Sequence, residues 1–199
     1  MNSREISIGG IKVRATRLTY VGELGWEIYA PVADGLTLWT TIMDAGKSFG
    51  IKACGYRAIE SLRLEKGYRA WAGEINTETN PYEAGLGFAV SLKKDNFHGK
   101  AAAIAAQANL KRKLVAITFD DITCVPFGSE PIRIGNTIVG RIKSGGQGYT
   151  INKGIAYAYL PITNTEVGTT VDVEFFGSWR TGIICAEPLF DPTNERIKA

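Results

Sequence analysis

The sequence predicts an α+β fold, with an α+β segment over residues 1–110 and a small all-β domain over 111–199. Three observations carry that prediction. Strand and helix periodicities alternate in the first half in the order strand, helix, helix, strand, which suits an open sheet with helices on one face. From Leu114 onward the pattern changes to short strands separated by tight turns, as in a small barrel or sandwich. Gly135-Asn136 stands between two of those strands as a two-residue hairpin signal.

The elements follow in order. Ile11, Val13 and Ala15 alternate with Lys12, Arg14 and Thr16, the period of a half-buried strand. Gly22 and Gly25 bracket Glu23-Leu24 and allow the chain to reverse, because glycine takes positive φ cheaply. Trp26, Ile28 and Ala30 then alternate with Glu27 and Tyr29 and restore a strand. The predicted hairpin sets Tyr20 and Glu27 on facing strands near the turn, within reach of one bound molecule. Periodicity alone is satisfied by an ordinary hairpin with Glu23 and Glu27 in water.

Asp34 is placed to cap a helix that runs to about Ala45 and stops at Gly46, with an apolar stripe of Leu36, Trp39, Ile42 and Met43. A second helix spans residues 56–66 and ends at Gly67. Its Ile59 and Leu62 face inward, while Glu60, Arg63 and Glu65 lie on the surface, where Arg63 pairs with Glu60, Glu23 or Glu27. Residues 67–73 lack regular structure, 77–81 form a loop, and Glu83 to Gly87 lead into a short strand over 88–92. A turn over 96–100 precedes an alanine-rich helix to about Ala108, and Asn109 with Lys111-Arg112-Lys113 reads as a linker. Strands are expected over 114–119, 132–134, 137–140, 155–159, 170–175 and 181–185. Tyr68, Trp71 and Tyr149 suit either a pocket lining or core packing.

Composition removes several function classes. No apolar run reaches the roughly 18 residues that span a bilayer, and MNSREISIGG lacks the apolar core of a signal peptide. A net charge of +3 is too small to indicate nucleic acid. Cys54, Cys124 and Cys185 are odd in number, far apart and without a CxxC pair, which argues against a disulfide framework and structural zinc and fits a reducing, cytoplasmic setting. His98 is the only histidine, so two-histidine chemistry is excluded. No GxSxG, GxGxxG or GxxxxGK[ST] occurs, so the chain carries no nucleophile elbow or nucleotide loop of these types.

Five stretches carry a resemblance. LTYVGELGWEIY, SLRLEKGYRAW, EAGLGFAV, FHGK and KSGGQGYTINKGIAYAYLP occur in the order and spacing of the glycine-cleavage T-protein (aminomethyltransferase) family. The version with Val, Leu and Trp is most similar to the C-terminal folate-binding portions of dimethylglycine oxidase and of sarcosine and dimethylglycine dehydrogenases. The resemblance implies a ring of three domains around tetrahydrofolate, the first two ferredoxin-like and the last a β-barrel. This chain would supply an incomplete ferredoxin-like segment and the barrel.

Carried over residue by residue, Tyr20 matches the tyrosine beside the folate and Glu27 the glutamate that anchors the pterin. A pterin edge shows a ring N–H and an exocyclic amine side by side, and one carboxylate can accept both hydrogen bonds. Glu23 is a secondary candidate, and Arg63 is the matching arginine retained near the folate. Ile59 stands where T-proteins place a further arginine, which favours the oxidase branch.

The family's catalytic aspartate belongs to an N-terminal segment that the sequence does not match, and no carboxylate here replaces it, so no catalytic residue is assigned. The chain is expected to be a fragment or a reduced homologue. FAD would sit on an absent or separate domain, where it oxidises an N-methyl amine to an iminium.

Three readings stay open. One is a folate-dependent one-carbon transfer module. Another is a non-catalytic folate-binding or regulatory module, like the regulatory subunit of pyruvate dehydrogenase phosphatase. The third is a structural partner, or homo-oligomer, pairing through an unpaired edge over residues 11–15.

Overall fold

Ser3, Glu5 and Ser7 alternate with Ile6 and Ile8, and this short pattern forms a strand that the sequence reading did not predict. In the computed structural model, which describes residues 2–198, β1 (Ser3–Ile8) pairs with β2 (Ile11–Arg17) about Gly9-Gly10. Both glycines have positive φ, the backbone that a two-residue hairpin needs. β3 (Trp26–Tyr29) pairs with the other side of β2, giving the sheet order β1-β2-β3. The edge expected over residues 11–15 is therefore not open. β1 covers it along its whole length, with Ile8 opposite Ile11 and Ala15 opposite Arg4.

α1 (Gly35–Gly46) starts and stops where expected, although the Asp34 side chain makes no capping bond. Its docked face differs from the predicted stripe. Leu38 is buried, whereas Leu36 is 78% and Trp39 55% exposed. The Gly9 turn approaches the helix so closely that a Cβ there would lie 2.8 Å from the Thr41 methyl. That contact selects the Leu38–Thr41 side of the helix.

α2 (Tyr56–Lys66) matches its prediction in extent but not in orientation. Ser61, Arg63, Leu64, Glu65 and Lys66 are buried, so the placement of Arg63 and Glu65 on the surface is corrected. The chain divides into two units inside this helix, Met1–Leu62 with Thr193–Ala199, and Arg63–Pro192.

The second unit contains α3 (Lys100–Ala108) and six strands: β4 (Arg112–Phe119), β5 (Pro131–Ile134), β6 (Thr137–Gly148), β7 (Lys153–Pro161), β8 (Thr170–Phe175) and β9 (Ser178–Cys185). They close into a barrel in the order β4-β7-β6-β5-β8-β9. Closure leaves no open edge. Val115, Ile117, Ile132, Ile142, Val173 and Ile184 fill the interior.

β4 and β7 are also covered outside, where Leu114, Ala116, Ile155, Tyr157 and Tyr159 pack with Leu64. Burial on both faces explains why LVAITF and GIAYAYL are continuous apolar runs rather than alternating ones. The strand expected over 88–92 is absent. Residues 81–90 instead satisfy one another locally, with Ala89 N donating to Leu86 O and Val90 N to Gly87 O in a 3₁₀ turn.

β6 runs eight residues beyond its predicted end at Gly140, through SGGQG. Its glycines are required for space. A Cβ on Gly145 would overlap the Pro126 carbonyl oxygen, and one on Gly146 would overlap Leu64.

Tyr157 yields a prediction at this point. Its hydroxyl donates to Leu64 O at 2.9 Å. Burial, reinforced by Glu187, pushes the phenol well above its ordinary value. An unfolded tyrosine ionises near about pH 10, so this contribution to stability is complete below that pH and is lost as pH rises through the higher folded value. Urea midpoints will therefore fall above about pH 10, and Tyr157→Phe will flatten that decline.

Candidate functional site

β2 and β3 carry the candidate site. Thr16 lies opposite Glu27 and Arg14 opposite Tyr29, so these four share one face of the sheet. Glu5 pairs with Arg14, and the Ser3 hydroxyl bonds the Thr16 hydroxyl, which makes this face polar across all three strands. Trp26 and Ile28 point to the other face by alternation.

Glu27 is half-buried. Tyr29, two residues on and therefore on the same face, donates its hydroxyl to Glu27 Oε2. The hydrogen bond to the carboxylate, its charge and a small desolvation together raise the Tyr29 phenol above its ordinary value, so it remains a donor at neutral pH. Among the described residues, none donates a hydrogen bond to Glu27 Oε1. The carboxylate is thus oriented by one oxygen and open at the other. Sequence reasoning named Glu27 but not Tyr29, although the i,i+2 spacing was the available signal.

The hairpin loop is wider than expected. β2 ends at Arg17, Leu18 N donates to Gly25 O at 3.2 Å, and Tyr20 falls within the loop rather than on a strand. Thr16, not Tyr20, is the residue facing Glu27. Of the two bracketing glycines only Gly22 takes positive φ, because the loop closes gradually rather than in a tight turn. The Tyr20 ring is 38% exposed. Glu23 forms an ion pair with Arg196 at 3.2 Å. The structure therefore brings Tyr20, Glu23 and Glu27 onto one hairpin.

Arg63 belongs to the other unit. Its Nη1 lies 2.6 Å from Glu74 Oε1 and donates to Tyr68 O at 3.1 Å, with 2% of the arginine side chain and none of the glutamate exposed. Burial alone would push the Glu74 carboxyl up. Arg63, with hydrogen bonds from the Ser144 hydroxyl and the Ala70 amide, outweighs it and holds the group below the usual glutamate value. Glu74 was not foreseen as a partner, and nothing in its local sequence marks it as buried.

More of the same unit is held by ion pairs on the outer face of the barrel. Arg69 is bidentate to Glu187 at 2.7 and 2.8 Å, and Lys66 meets Asp191 at 3.0 Å. Glu65 Oε1 accepts Thr150 N at 2.7 Å and Ile151 N at 3.2 Å. Trp71, Ile75, Asn76, Asn80, Pro81 and Leu86 are among the residues lining a small open pocket of about 170 Å³, and both Trp71 and Tyr149 are exposed. No helix among the described residues is long and apolar enough to cross a membrane.

A small sheet-and-helix unit followed by a closed six-stranded barrel also occurs in a solved aminomethyltransferase. The crystal structure of glycine cleavage system aminomethyltransferase T from Bartonella henselae superposes with a TM-score of 0.81 at 25% identity, over 89% of this chain and 49% of that one. The GCVT N-terminal domain profile matches residues 1–94, and the glycine cleavage T-protein C-terminal barrel domain profile matches residues 112–191. The chain belongs to the glycine-cleavage T-protein family.

Mitochondrial dimethylglycine dehydrogenase of Homo sapiens is 41% identical over the whole chain, which spans 23% of that protein. Mitochondrial sarcosine dehydrogenase of Mus musculus is 37% identical over 95% of the chain and 22% of its own length. The aminomethyltransferase of Symbiobacterium thermophilum is 34% identical over 98% of the chain and 52% of its own length. The chain thus spans about a quarter of the dehydrogenases and half of the transferase.

Proposed function

We propose that this chain is the tetrahydrofolate-binding module for one-carbon (aminomethyl or methylene) transfer in a dimethylglycine or sarcosine oxidase-like enzyme. One observation carries the reading: Glu27 is half-buried, oriented by Tyr29 through one oxygen and open at the other, on the same hairpin as the Tyr20 ring. Such a carboxylate fits the paired donors of a pterin edge. Arg63 fits less well, because Glu74 engages its guanidinium inside the other unit.

Bound folate would supply the nitrogen that accepts the one-carbon unit, and a flavin domain or subunit would supply the oxidised amine. Glu27 and Tyr20 would hold and orient the pterin, with Glu23 supporting their loop. In this reading residues 1–110 form the folate-binding part and 111–199 the barrel. The three free cysteines support a reducing setting such as the cytoplasm.

A non-catalytic folate-binding or regulatory module is the second reading. It would use the same hairpin, with Glu27 held by Tyr29 and Glu23 paired with Arg196, and no catalytic residue is assigned in this chain. Turnover with an iminium donor separates it from the first.

Calorimetric titration with tetrahydrofolate tests the pocket. Glu27→Gln is expected to weaken binding by about 1–3 kcal/mol, since it removes a charged acceptor. An unchanged affinity would sink the pterin-anchor role, and a folded wild-type chain that does not bind would overturn the folate reading.

A further inference from the structure

The last turn of the chain, α4 (Glu195–Lys198), belongs to the unit that holds the hairpin. Two arginine contacts join this turn to the hairpin loop. Arg196 Nη1 lies 3.2 Å from Glu23 Oε1, and Arg17 Nη2 donates to Ile197 O at 3.2 Å. They hold the hairpin at separate points, Arg17 at the end of β2, just before the loop, and Glu23 in mid-loop. The turn is held in itself as well, since Lys198 Nζ donates to Thr193 O at 3.0 Å and Thr193 Oγ1 to Glu195 Oε1 at 3.1 Å.

Within the loop, two bonds are short-range closures. Leu18 N donates to Gly25 O, and Val21 N to Thr19 Oγ1 at 3.2 Å. The contacts from 173 and 180 residues away are of a different kind, because they tie the hairpin to a segment outside itself.

We infer that the C-terminal turn is a clamp on the loop of residues 18–25, with Arg196 a positioning residue that acts through Glu23. The clamp sets where the Tyr20 ring lies relative to Glu27. It rests on the folate reading for its consequence, but not for its mechanics. An ion pair this exposed, 57% for Arg196 and 40% for Glu23, contributes little to global stability. Its effect is local, on the ordering of one loop.

The test uses the full chain with Arg196→Glu, Glu23→Arg and the double swap, and Arg196→Lys as the conservative variant. Amide hydrogen exchange over residues 18–25 is read without ligand, and tetrahydrofolate affinity by calorimetry. Each reversal is expected to speed exchange in the loop and weaken affinity by about two- to five-fold, with urea midpoints unchanged. The double swap and Arg196→Lys restore both. Exchange unchanged by the reversals overturns the clamp, and so does exchange that the swap fails to restore. Should wild-type protein bind no folate, the folate reading fails while loop exchange still decides the clamp.

Discussion

Glu74→Ala will cost about 3–5 kcal/mol of folding stability, or prevent folding, because it strands the Arg63 guanidinium in the interior. The pair is sealed, with 2% of one side chain and none of the other exposed. The same carboxylate also takes the Ala70 amide at 2.7 Å and the Ser144 hydroxyl, so three donors lose their acceptor together. Arg63→Met leaves the converse defect, a carboxylate buried without its cation. The double variant Arg63→Met, Glu74→Leu should cost less than either single change, since it removes both charges at similar volume. Urea unfolding of the four proteins makes the comparison. If the double variant loses as much as the singles combined, the pair is not acting as a unit.

The pH dependence has a definite sign. Glu74 is held below its unfolded value, so its contribution to stability is present above about pH 4.3 and is lost as pH falls through the folded value. Arg63→Met should reduce that acid-side slope as well as the stability at neutral pH.

Gly154→Ala is the second large effect, with an expected loss of about 3 kcal/mol. An added Cβ would overlap the Cys124 carbonyl oxygen and lie 3.0 Å from Asp121 O. Both obstacles are backbone, so no side chain can rotate away, and the 121–124 turn must shift off the barrel. Gly145→Ala presses on Pro126, close to the same turn. The two losses should therefore combine to less than their sum. Gly55→Ala is the control. Nothing lies within 4 Å of its Cβ position, and the change should stay within about 0.5 kcal/mol of wild type. A comparable loss at Gly55 would mean that flexibility, not space, sets the cost at Gly154.

Much of the fold could be read in residue order, and the misses have physical causes. The six barrel strands are legible because β-branched and aromatic residues recur between turn residues, continuously in β4 and β7 and in alternation in β8. The predicted end of β6 at Gly140 falls short because glycine has low strand propensity, yet in SGGQG the absent side chains admit Pro126 and Leu64. β1 was missed because SREISI holds only two apolar residues, although Gly9-Gly10 after it was a usable turn signal. In the candidate site, the resemblance points to Glu27, and the alternation that sets Tyr29 on the same face is a signal the sequence reading does not use. Arg196 was not legible, as nothing local connects it to Glu23.

By itself, then, the sequence determined most element types, the all-β second half and the hairpin, because periodicity and turn chemistry are properties of neighbours along the chain, while the barrel was what the resemblance implied. Only the tertiary structure decided which charges lie inside. Charged residues on a helix default to water, since burying an unpaired ion costs several kcal/mol. Arg63 and Glu65 are inside because their partners arrive from elsewhere, Glu74 eleven residues on and the Thr150 amide 85 residues on. That compensation exists only once the chain has folded.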